Sequence, residues 1–319
     1  LCGADPLAGE NSNMSISTNF SFNLALSQMQ VMQTSISRTQ GQLATGELAG
    51  NPSDSPDTTA TTQRIQTAIA RQDAFSQSLT QVDNRFAAQE TAISSSAGLL
   101  TRIKELAIQA SNDTVSAQDR KNIALELQTL RDQLLSMANT QDENGNFIFG
   151  GARTGQAPFA ADATGAVGYV GDQGGAVVAV GEQRKVSSSL TGSRVFASVV
   201  RQDNGQISGA GFFQSLDDLS RAVANGDPAG TRRGMTEVDA LQNGISHAIA
   251  EIGANRNVIE QQRQVIDATK LRLQSTLSGL KDTDYVEAVT RLQREMLALQ
   301  AGQSSFAQTA KLNLFEYIK

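Results

Sequence analysis

Apolar residues recur every seven positions at both ends of the chain. Near the C-terminus Tyr285, Leu292, Leu299, Phe306 and Asn313 form one row, and Val289, Met296, Gln303, Ala310 and Tyr317 form a second, four positions behind. Two such rows predict the a/d seam of a helix of about 30 residues, about 45 Å long at the α-helical rise. Near the N-terminus Phe22, Met29, Ile36 and Leu43 repeat the spacing. Between the ends lie further heptads: Leu79, Phe86, Ile93, Leu100 and Ala107, then Ile123, Leu127, Leu130, Leu134 and Met137, then Ile259, Ile266, Leu273 and Leu280. Helices patterned in this way cover their apolar stripes only against one another.

Breakers divide the pattern. Gly46, Gly50, Asn51, Pro52 and Pro56 close the first helix, and a second runs from about Asp57 to Ala110. Ser116 with Asp119 opens a third in capping-box spacing. Asn144-Gly145 is a turn dipeptide, and Phe147-Ile-Phe-Gly-Gly151 reads as a strand beyond it. Eleven of the 27 glycines then fall between Arg153 and Ser215, among β-branched runs such as Ala176 to Val180 and Val195 to Val200. Glycine costs about 1 kcal/mol inside a helix, so this density predicts strands and turns. Helical periodicity returns near Phe213 and continues to Leu280, with Asp217-Asp218 favouring the start of a helix through its dipole.

The expectation is a mainly α fold with an inserted β-domain: a long-helix antiparallel bundle forming a rod, a small β-rich outer domain and terminal coiled-coil helices. The expected boundaries are 14–50 for an N-terminal assembly helix and 51–152 for the first half of the rod. The β-rich domain takes 153–215, the second half of the rod 216–280, and a C-terminal assembly helix 281–319. Leu1 to Asn13 are expected to be foreign to the natural protein, because periodicity begins only after Met14. The rod heptads read as an intramolecular core. The terminal rows, cut off by breakers at 46–56 and 279–284, read as intermolecular surfaces: Phe22, Met29, Ile36, Leu43, Tyr285, Val289, Leu292, Met296, Leu299, Phe306, Ala310 and Tyr317. Polar Gln303 and Asn313 within them set register or face water.

Composition narrows the function classes. The chain has no Trp, 5% aromatics and a net charge of −6, which offers no electrostatic attraction to nucleic acid or an anionic membrane. No stretch is apolar enough for membrane insertion. Cys2 is the single cysteine, so disulfides and cysteine-ligated metals are not expected. The single histidine, His247, cannot make a His-Glu-x-x-His zinc motif and reads as a packed or surface residue. Asp282 and Asp284 fall short of a calcium loop; Asp284 with Glu287 reads as a capping box opening the last helix. Gly150-Gly151 lacks the lysine of a phosphate loop, and Arg232-Arg233 reads as a solvated pair. No catalytic, cofactor or metal constellation is expected, and the chain reads as a non-enzyme.

Several segments carry a resemblance. They are Gln42-Leu-Ala-Thr-Gly46, Asn51-Pro-Ser-Asp-Ser-Pro56, Arg102-Ile-Lys-Glu-Leu-Ala-Ile-Gln-Ala110, Asn146-Phe-Ile-Phe-Gly-Gly151, Asp282-Thr-Asp-Tyr-Val-Glu-Ala288 and Leu312-Asn-Leu-Phe-Glu-Tyr-Ile318. The chain resembles the flagellin superfamily, and within it the hook–filament junction proteins of the FlgL type. That resemblance implies an extracellular structural adapter of the bacterial flagellum, arranged as a ring of its own copies. It implies contacts with an FlgK-type junction protein and flagellin, an FlgN-type export chaperone, and passage through the flagellar type III export apparatus. Two other readings stand beside it: flagellin itself, or a cytoplasmic coiled-coil signalling module.

Overall fold

The structure, a computed structural model, describes residues 11–48, 56–203 and 206–317; the side chains of residues 11–19, 21, 202, 203, 206 and 309–317 lie outside the description. Of Leu1 to Asn13, only the last three residues are described, as the opening of α1. The helices are α1 (Asn11–Thr45), α2 (Pro56–Ala110), α3 (Ala117–Ala138), α4 (Gly192–Val195), α5 (Phe212–Asn225), α6 (Pro228–Lys281) and α7 (Tyr285–Tyr317). The strands are β1 (Phe159–Ala161), β2 (Val167–Tyr169), β3 (Val177–Ala179), β4 (Lys185–Ser187), β5 (Val199–Asp203) and β6 (Gln206–Ala210). Two compact units emerge. One spans Ala70–Lys270; the other joins α1 and α7 to the start of α2 and the end of α6.

In the unit spanning Ala70–Lys270, the heptad row Leu79, Phe86, Ile93, Leu100 and Ala107 of α2 is wholly buried. Val238, Ile245, Ile252, Ile259 and Ile266 of α6 form the same spacing and join that core. Full burial of each large apolar side chain contributes about 1.5–3 kcal/mol. Polar cross-links show the two helices antiparallel: Lys104 with Asp239, Arg256 with Asp83 and Glu90, Lys270 with Asp73. α3 begins as expected, with the Ser116 hydroxyl accepting from the Asp119 amide at 3.1 Å. Its Arg131 pairs with Asp217 of α5 at 3.0 Å.

The predicted run from Phe213 to Leu280 is broken. Gly226 caps α5 in the left-handed conformation (φ 65°), and Pro228, which has no N–H to donate, opens α6. Asp217 and Asp218 lie more than a turn inside α5 rather than at its start, so their role is side-chain pairing. Asp218 and Glu237 grip Arg201 of β5 at 2.6 and 2.7 Å, and the hydrogen bonds that Arg201 donates to Glu237 raise its pKa further.

The β insert is three separate two-stranded antiparallel hairpins, β1–β2, β3–β4 and β5–β6. Their apolar sides, through Phe159, Val180, Val199 and Ala210, share the helical core. The run expected as a strand from Val195 enters as the end of α4, and β5 begins only at Val199. Phe147 to Gly151 is a turn rather than a strand, with one bridge from Phe147 to Gln141. Gly151 (φ 66°) explains it: a Cβ there would stand 2.5 Å from the Asp172 carbonyl oxygen. Phe149 is thereby delivered edge-on to Phe196, ring centroids 5.4 Å apart.

Candidate functional site

The terminal helices pack against each other within the chain. Phe22 meets Phe306 with ring centroids 4.6 Å apart at one end, and Gly46 of the α1 cap meets Tyr285 at the other, so the pair is antiparallel. On α1 the residues turned inward are Met29, Met32, Ser35, Ile36, Thr39, Gln42 and Leu43. On α7 they are Ala288, Leu292, Glu295, Leu299, Gly302 and Phe306. Of the predicted intermolecular residues, Met29, Ile36, Leu43, Leu292, Leu299 and Phe306 are therefore half-buried by the chain itself.

The second predicted row does something else. Val289 and Met296 face outward, with Met296 53% exposed, and Val286 (79%) and Leu297 (69%) extend the apolar surface. A shallow groove of about 440 Å³ runs here, lined by Gln293, Met296, Leu297, Leu299, Gln300 and Gln303. Tyr285 is also exposed, as are Phe20, Phe22, Leu24 and Val31 of α1. The side chains of Ala310, Asn313 and Tyr317 lie outside the described residues. Two long stretches of these helices carry no charge. Neither Asn11 to Ser37 nor Met296 to Ala310 contains an Asp, Glu, Lys or Arg.

Sequence reasoning treated the two breaker segments as separate punctuation, whereas the structure pairs them. Gly46 (φ 73°) ends α1, and its carbonyl accepts from the Thr283 amide at 2.8 Å. The Leu48 amide donates to the Lys281 carbonyl at 2.7 Å, and Gln42 Nε2 donates to the Leu48 carbonyl at 2.6 Å. Lys281 bonds Glu47 at 2.9 Å, which raises the lysine pKa. Asp284 caps α7 as expected, accepting from the Val286 and Glu287 amides. The reciprocal arm of the box differs: the Glu287 carboxylate accepts from Arg291 at 2.6 Å. No local sequence signal marks this joint, since its partners lie more than two hundred residues apart.

The other flagged residues carry structural roles. Asp282 is engaged by the Ser278 hydroxyl. Arg232 reaches the Pro228 carbonyl, and Arg233 lies 3.9 Å from Glu237. His247 is exposed beside a cleft of about 460 Å³ that Val195, Val200, Phe212 and Leu241 help to line. Among the described residues no group of three or more His, Cys, Asp or Glu could hold a metal ion, and no helix is long and apolar enough to cross a membrane.

Comparison with known proteins places these helices. Residues 16–154 match the bacterial flagellin N-terminal helical region, and residues 235–318 match the bacterial flagellin C-terminal helical region. Two relatives are named flagellar hook-associated protein 3. The one from Escherichia coli K12 is 27% identical over 293 residues, covering 87% of this chain and 91% of that protein. The one from Salmonella typhimurium LT2 is 26% identical over 317 residues, covering 95% and 99%. Among solved structures, a putative flagellar hook-associated protein from Vibrio parahaemolyticus aligns with a TM-score of 0.65 at 21% identity, covering 72% of this chain and all of that one. Flagellar hook associated protein-3 from Legionella pneumophila aligns at 0.61 and 18% identity, covering 68% and 98%. At these identities the structural likeness speaks for the fold.

Proposed function

The chain belongs to the bacterial flagellin family, its two terminal regions accounting between them for more than half of its length, and from that premise we propose that it is a structural adapter at the hook–filament boundary. It is a component of the flagellum and assembles with other hook and filament components. In the proposed reading its partners are further copies of itself in a ring, an FlgK-type junction protein on the hook side and flagellin on the other. Export through the flagellar type III apparatus, with an FlgN-type chaperone holding the C-terminal helix, brings it outside the cell. Near full-length alignment with two proteins named flagellar hook-associated protein 3 supports this reading over a filament subunit.

One observation carries the assembly role: α7 keeps Val286, Val289, Met296 and Leu297 in solvent although α1 is packed beside it. Exposed apolar rows of this kind mark docking surfaces, and the lack of charge on the neighbouring stretches lets copies of an acidic chain approach without repulsion. The double substitution Val289→Asp, Met296→Asp tests it. Both sites are exposed, so the isolated protein is expected to keep its helicity and melting temperature while incorporation into flagella drops below detection. Incorporation at the parent level would remove the surface from the proposal.

A further inference from the structure

Glu295 faces the α1–α7 interface on a helix that has a more apolar alternative. At heptad spacing Ala288, Glu295 and Gly302 turn towards α1, whereas Val289, Met296 and Gln303 turn away. Both rows flank the same line of Leu292, Leu299 and Phe306. On hydrophobicity alone α7 would present Val289 and Met296 to α1 and leave the carboxylate in water. Presenting them needs a rotation of only about 50° about the helix axis, half of the 100° between successive residues. The joint at Gly46 and Thr283 holds the near end of the pair along its length but is separated from Glu295 by three turns of helix.

The contact opposing that rotation is specific. Glu295 Oε1 accepts from Ser35 Oγ at 2.6 Å, and Oε2 accepts from Thr39 Oγ1 at 3.0 Å. Thr39 is 3% exposed. The two hydroxyls lie one turn apart on α1, so a forked acceptor meets two donors at their own spacing, and charge-assisted bonds of this kind are both stronger and more directional than neutral ones. Ala288 and Gly302, small residues one heptad on either side, let the backbones come close around the carboxylate. Rotation would bury Val289 and Met296 but would break both bonds to the carboxylate, leaving the Thr39 hydroxyl only the Ser35 carbonyl of its own helix at 3.1 Å.

We propose that Glu295 is a positioning residue that sets the rotation of α7, spending its carboxylate inside the chain so that the row Val289–Met296 stays outside for a neighbouring subunit. Polar groups inside helical seams select among alternative packings in this way. The consequence for docking rests on the adapter reading, whereas the rotation itself can be read on the isolated chain, so the two fail separately.

The experiment uses the full chain with Cys2→Ser and one reporter thiol, either Met296→Cys on the outward row or Ala288→Cys on the inward row, and measures maleimide labelling rates. With Glu295 present, position 296 labels fast and position 288 slowly. In Glu295→Leu the order is expected to reverse, each rate changing about tenfold as burial passes from one row to the other. Glu295→Gln, which can still accept from one hydroxyl and is nearly isosteric, is expected to restore the parent order. Unchanged rates in Glu295→Leu would overturn the assignment. So would fast labelling at both positions, which means unpairing without rotation, and so would a Gln variant that behaves like Leu.

Discussion

Gln89 is a wholly buried polar residue at the centre of the larger unit's loop contacts. Its side chain is wholly buried at a position where the heptad of α2 would take a Leu. Nε2 donates to the carbonyls of Ile148 and Leu190 at 2.7 and 2.8 Å, and Oε1 accepts from the Leu190 amide at 3.0 Å. One amide thus satisfies backbone groups of two loops that have left regular structure. Gln89→Leu is expected to destabilise this unit by about 3 kcal/mol, because buried donors and acceptors are left unpaired despite the gain in apolar area. Urea unfolding followed by circular dichroism measures it, and a change below about 0.5 kcal/mol would mean that the loops repair themselves. The buried rows of α2 and α3 were legible from spacing, whereas the aromatic part of the core, Phe149, Phe159 and Phe196, lies outside any heptad. Gln89, Arg201 and Glu295 were not, because a polar side chain, whether in a heptad or in a short strand, identifies no partner, and theirs lie 59 to 101, 17 to 36 and 256 to 260 residues away.

Among elements, the long helices were read nearly to their ends, since heptad rows and caps are local. α2 was expected from Asp57 to Ala110 and spans Pro56–Ala110. The division between α5 and α6 was missed because the apolar period resumes in phase after Gly226, and the strand expected at Phe147 failed because Gly150 and Gly151 serve a close turn. The terminal helices show the limit of periodicity most clearly. A seam can be recognised by its rows, but which two of three available rows meet the partner depends on contacts such as that of Glu295. The division into units carries its own prediction. Removing residues 284–319 takes away α7 and strips α1 of its partner, while the core of Ala70–Lys270 keeps all its residues. The truncated chain is expected to retain a cooperative thermal transition for that unit but to fail to incorporate into flagella. Non-cooperative melting with loss of the α2 and α6 helicity would show that the units fold only together.

At the scale of the whole molecule, one unit folds around a dense apolar core and the other presents a helix pair with long uncharged stretches and apolar side chains in solvent. This arrangement suits a subunit whose stability resides in one part and whose assembly contacts reside in another. A filament subunit of the same family would present a similar helix pair, so position and number in the flagellum separate the two readings. The most direct measurement is immunogold labelling of intact flagella with antibody against the Ala70–Lys270 unit. The adapter reading predicts a single narrow band of gold at the boundary between hook and filament. Gold distributed along the length of the filament would contradict it.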